Sequence, residues 1–113
     1  MPEEADGLSL VVTTLETAEQ ARTLARQLVE ERLIACGNVL PGVSSIYRWE
    51  GRIEQAGEVL LLMKTGTSLV PGLFGRIAEI HPYEVPELVS LRADEVSEAY
   101  ARWMLHETTE VTG

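Results

Sequence analysis

The sequence predicts one α+β domain of the ferredoxin-like, split βαβ kind, β-α-β-β-α-β with a further C-terminal helix. Three observations predict it. Two stretches, around residues 17–30 and 68–80, repeat apolar residues with helical period. Four others, around residues 8–14, 36–49, 52–65 and 88–93, alternate with period two or run continuously apolar. Read in order, they alternate as a split βαβ unit does, with no internal repeat or low-complexity tract.

Residues 8–14 open with a buried strand, where Leu10, Val11 and Val12 are consecutive. Thr17 followed by Gln20 is a capping-box signature. Behind it Ala21, Leu24, Ala25, Leu28 and Val29 form one apolar helical stripe. From Cys36 the period becomes two: Val43, Ser45, Tyr47 and Trp49 share one strand face, Ser44, Ile46 and Arg48 the other. Pro41-Gly42 predicts a bulge, and Glu50-Gly51 a tight hairpin turn. The returning strand carries residues 59–63, apolar on both faces. Ser68 is the expected cap of a second helix, with Leu73, Phe74, Ile77 and Ile80 facing inward and its end before Pro82. Asp94 or Ser97 starts a last helix through Tyr100, Trp103 and Met104.

Right-handed crossovers put both main helices on one side of the sheet and leave the other side open. Leaving apolar area wet there costs on the order of 25 cal/mol per Å². The C-terminal helix is long enough to cover only part of it, so the sequence asks for a partner subunit, with the strands around Tyr47 to Trp49 and residues 59–63 supplying the contact. Residues 1–113 are expected to be one domain, with 1–7 and 107–113 as flexible ends.

Nine Lys and Arg against eighteen Asp and Glu give 113 residues a formal charge of −9. Such a field repels phosphate backbones, and no basic patch offsets it, so nucleic acid is excluded as a partner. The single cysteine excludes an intrachain disulfide and a CxxC pair. Residues 1–7 lack the features of a signal peptide and no apolar run reaches membrane length, so the expected address is the cytoplasm, with no membrane partner.

The segment His81-Pro82-Tyr83-Glu84-Val85-Pro86-Glu87 is stiffened by its prolines. His81 reads two ways: as a residue favoured at a helix C-terminus, or as part of a site where imidazole, phenol and carboxylate converge. Cys36 follows Leu33-Ile34-Ala35 and reads as a small buried hydrophobe, slow to react. His106 lies near a polar tail and reads as solvated. Lys64 and Glu58 share a strand face but stand three pleats apart, too far for a direct pair. No catalytic motif is present, so no enzyme activity and no required cofactor are expected.

Four segments together resemble the divalent-cation tolerance family, CutA: Leu28-Val29-Glu30-Glu31-Arg32-Leu33-Ile34-Ala35-Cys36, Ser45-Ile46-Tyr47-Arg48-Trp49-Glu50-Gly51, Lys64-Thr65, and the segment from His81 to Glu87. The resemblance implies a homotrimer built like the PII signalling proteins, a cytosolic location, and an association with tolerance of copper and other divalent cations. His81, Glu84 and Cys36 are then candidate metal contacts, and Tyr47, Trp49, Lys64, Tyr83 and Arg48 candidates for an inter-subunit or effector cleft. Two departures weaken a copper site: Thr13 stands where some members have cysteine, and Ile80 where some have a second histidine. The alternative is a PII-like module holding a small anionic effector between subunits, with Lys64 and Arg48 as candidate contacts. Acylphosphatase shares the element order, but Thr14-Leu15-Glu16-Thr17 supplies no arginine. An RNA-recognition module would need aromatics where Leu10, Val12, Leu60 and Leu62 stand.

Overall fold

The structure, a computed structural model, describes residues 7–108. Its elements are β1 (Leu8–Leu15), α1 (Ala18–Glu30), β2 (Cys36–Trp49), β3 (Arg52–Gly66), a short 3-10 turn (Thr67–Leu69), α2 (Val70–Ile80), β4 (Val89–Arg92) and α3 (Glu98–Thr108). The sheet runs β2-β3-β1-β4 with every pairing antiparallel, the ferredoxin-like order.

Both ends of α1 are locally encoded. The Thr17 hydroxyl accepts from the Gln20 amide at 3.1 Å, while the Gln20 side-chain oxygen accepts from the Thr17 amide at 3.3 Å. At the other end Arg32 adopts φ 62°, its amide bonding Val29 O and the Leu33 amide bonding Leu28 O, a Schellman stop made without glycine. The Arg32 guanidinium then donates to the Glu107 carbonyl at 3.1 Å, tying this turn to α3. Between these ends Ala21, Leu24, Ala25 and Leu28 pack on Val11, Leu15, Leu61 and Met63, and Leu73 and Ile77 of α2 complete the core. Helix and sheet approach so closely that a Cβ on Gly37 would stand 2.9 Å from that of Ala25.

Three expectations are revised. Ser68 lies within the 3-10 turn; α2 starts at Val70, and its cap position, Leu69, makes no side-chain capping bond. Pro71 in the first turn, with φ already set for a helix, does the initiating instead. Residues 59–63 divide between faces: Val59, Leu61 and Met63 are sealed in the subunit's own core, and only Leu60 and Leu62 face outward. Glu107 and Thr108, expected in a loose end, form the last turn of α3, and the Thr108 hydroxyl donates to the Met104 carbonyl at 3.1 Å. The remaining expected ends, 1–6 and 109–113, lie outside the described residues.

The bulge falls between Leu40 and Val43, and Glu50 and Gly51 take φ of 50° and 81°, the left-handed pair of a tight hairpin turn. β1 last pairs at Leu15 with Val59, so from Val43–Glu58 to Trp49–Arg52 the hairpin is a bare two-stranded ribbon. It gives the chain extents of 48 × 30 × 22 Å and a radius of gyration of 15.0 Å, against about 13 Å for a compact domain of this length.

Candidate functional site

The open side of the sheet has three zones, set by strand parity. At one end α3 covers it: Met104 packs on Leu8 and Ala35, with Leu10 and Tyr100 alongside. In the middle Leu40, Val89 and Leu91 are exposed beside half-buried Leu60 and Leu62. At the far end the ribbon and the loop after α2 enclose an open groove of about 730 Å³.

The loop is fixed by His81, only 8% exposed. Its Nδ1 accepts from the Tyr83 amide at 3.0 Å, which leaves the ring hydrogen on Nε2 to donate to the Thr14 carbonyl at 2.9 Å. Burial lowers the imidazole pKa; the Thr14 carbonyl and the Glu58 charge oppose that shift. The neutral ring therefore clamps the loop to the end of β1, and Pro82 prevents α2 from continuing past it. Tyr83 then meets the His81 ring edge-on at 4.8 Å and donates its hydroxyl to Glu58 at 2.9 Å. Burial and the acceptor Glu58 both raise the phenol pKa, so it stays a donor.

Along the groove, Tyr47 and Trp49 of β2 face Tyr83, with Glu16, Glu58, Glu84 and Glu87 around them and no Lys, Arg or His in the lining. Tyr47 and Trp49 are 44% and 45% exposed. The local field is negative and the walls are aromatic, an arrangement that suits cations and repels anions.

The structure thus joins some of the candidate residues and separates others. Tyr47, Trp49, Tyr83 and Glu84 share the groove. Cys36 and Lys64 do not: they pair with each other across β2 and β3, and Lys64 faces Leu10, four residues along β1 from Thr14. That is about 13 Å of strand. The Lys64 ammonium stands over the Tyr100 ring at 5.8 Å, under α3. Arg48 pairs with Ile53 on the reverse face of the ribbon. Within one subunit Lys64 and Arg48 therefore stand apart, on opposite faces of the sheet and eleven positions along β3, so a shared anion contact would have to form between subunits. Cys36 is half-buried rather than buried, because it lies on the open face, its sulfur 3.8 Å from Asn38 Oδ1. His81, Glu84 and Cys36 do not assemble, and among the described residues no trio of His, Cys, Asp and Glu could hold a metal. His106 projects from α3 beside Glu107.

Glu16 and Glu87 were not singled out as site residues in the sequence, and Glu58 was weighed only against Lys64. The only available signal was that the loop from His81 to Glu87 must return past the end of β1, which Glu16 follows.

The sequence profile of the CutA1 divalent ion tolerance protein family matches residues 9–107. This chain belongs to that family. The divalent-cation tolerance protein CutA of Thermus thermophilus is 46% identical over 99 residues, 88% of this chain and 96% of that protein. Mouse protein CutA is 41% identical over 91% of this chain, which spans 58% of the mouse protein. The crystal structure of the divalent ion tolerance protein CutA1 from Ehrlichia chaffeensis superposes with a TM-score of 0.88 at 30% identity, covering 93% of this chain and 98% of that one. The Thermus thermophilus and Ehrlichia chaffeensis members are named for tolerance, not for a catalysed reaction. Among the described residues no helix is long and apolar enough to cross a membrane.

Proposed function

We propose that three copies of this CutA chain assemble in the cytoplasm into a binding protein that raises tolerance of divalent cations, copper among them, by diffuse attraction rather than at a coordination site. The observation that carries the reading is His81, the best ligand the sequence offers, with both ring nitrogens already bonded. A metal would have to displace Tyr83 or Thr14 to reach it. Three chains of formal charge −9 carry −27 together, enough to concentrate divalent cations without a chelating cage.

The partner copies are assigned to the middle zone. Leu40, Leu60, Leu62, Val89 and Leu91 form an apolar strip, and Ile46 and Ile53, 68% and 64% exposed, continue it onto the reverse of the ribbon. A two-stranded ribbon is marginal alone in water and gains from such packing. The number three follows the family resemblance. The groove belongs at the rim of this contact, because interface cores exclude charge and four glutamates would be costly to desolvate.

Copper(II) titrations of wild type and His81→Ala, by calorimetry at low and high salt, test the cation reading. Weak binding that fades as salt shortens the Debye length to about 8 Å or less, equally in both proteins, is expected. Tight, salt-resistant binding that disappears in His81→Ala would overturn it.

A further inference from the structure

The carboxylates of the groove do not converge. Glu16 follows β1, Glu58 stands on β3, and Glu84 and Glu87 are spaced along the loop after α2, all around one cavity. No three of them come close enough to enclose a metal ion. A bare divalent cation would therefore meet them one at a time. Aromatic side chains add a second requirement that a hydrated metal ion does not answer: Tyr47, Trp49 and Tyr83 present ring surface to the same space. Ring faces attract an ammonium group through the quadrupole and bury methylene carbon at the same time.

We propose that this groove binds a linear polyamine, a chain of methylene segments carrying two or more ammonium groups. Its separated charges match carboxylates that are themselves separated, and its hydrocarbon segments lie along Tyr47 and Trp49. At about 730 Å³ the groove is within the usual range for small-molecule sites. The loop wall is held in place before a ligand arrives. The loop is clamped by the bonds of His81 to Thr14 and Tyr83, and Tyr83 is anchored to Glu58, so its ring is preset. An anionic effector is disfavoured by the same lining, since no cationic side chain borders it. The inference rests on the reading of the groove as a rim site left open when copies of the chain assemble.

Spermidine is the probe, titrated by calorimetry into the intact oligomer with calcium as the purely electrostatic comparison, at matched ionic strength. Tyr47→Leu and Trp49→Leu keep apolar bulk and remove the ring; Glu84→Gln with Glu87→Gln removes charge on the loop without touching the strands. Saturable spermidine binding is expected, weakened at least about fivefold by either ring substitution, the equivalent of one cation–π contact. Calcium binding should be unaffected by the ring substitutions and reduced by the double glutamine variant, which should also weaken spermidine. Sedimentation of each protein separates the two readings. A wild-type oligomer that takes up no spermidine, with the groove filled by a neighbouring copy, overturns the polyamine site and leaves the assembly standing. So does uptake that follows ionic strength alone and ignores both ring substitutions. A wild-type monomer that binds spermidine with the expected ring dependence overturns the assembly and leaves the site.

Discussion

Residues 61 and 62 are neighbours in one strand and belong to different molecules in effect. Leu61 is fully buried between sheet and helices, a core that one chain completes for itself. Leu62 points to the other side, between Val12 and Asn38, where α3 reaches only one end and the strip beside it is exposed. One face is a finished interior; the other is half of one. The difference is that two thirteen- and eleven-residue helices cover the first face, whereas a single eleven-residue helix is shared with the second. The incomplete side is also where the groove lies, so the part of the fold that needs other copies is the part that offers a binding site.

The sharpest contrast comes from paired substitutions. Leu61→Ala should destabilise the fold by about 3 kcal/mol, the cost of a cavity in a sealed core, and lower the denaturation midpoint at every protein concentration. Leu62→Asp should instead act on association and not on the subunit interior, so that the variant falls apart at concentrations where wild type stays assembled and its midpoint loses the concentration dependence of the assembled protein. Equal behaviour of the two variants would erase the distinction between the faces.

His81 is where the finished core holds the wall of the unfinished side. Its replacement by alanine leaves the Thr14 carbonyl and the Tyr83 amide without their partner and should cost about 2 kcal/mol in chemical denaturation. The pH dependence has a definite sign. Burial lowers the folded-state pKa of His81 below its unfolded value, so the unfolded chain takes up the proton first. The stabilisation is present above about pH 6.5 and is lost as pH falls through the folded-state value. Denaturation profiles between pH 7.5 and about 5 should show that slope in wild type and a shallower one in His81→Ala.

A smaller effect is expected at the ribbon tip. Gly51→Ala places a side chain at φ 81° and should cost about 1 kcal/mol, with little change at the groove's far wall.

Much of this was legible in the sequence. The capping pair Thr17 and Gln20, the stripe from Ala21 to Leu28, the bulge at Pro41-Gly42 and the Glu50-Gly51 turn are local patterns whose physics acts within a few residues. The placement of both main helices on one side of the sheet followed from the element order and the handedness of crossovers. The start of α2 was misread because a serine is a good cap only where the helix begins, and Pro71 moves that point to Val70. The site was only half legible. Tyr47, Trp49, Tyr83 and Glu84 stood out by type and spacing, but whether His81 has a lone pair to offer depends on Thr14, 67 residues away in sequence. Likewise the distance between Lys64 and Arg48 within one subunit, on opposite faces and eleven positions apart along β3, is set by the register and not by their spacing in the sequence.

Sedimentation equilibrium of the wild-type chain across micromolar concentrations tests the central claim most directly, that the open sheet face is completed by copies of the same chain. A single species of three chains is the result expected. A folded monomer that keeps its Leu40, Leu62 and Leu91 strip in water at those concentrations would contradict it.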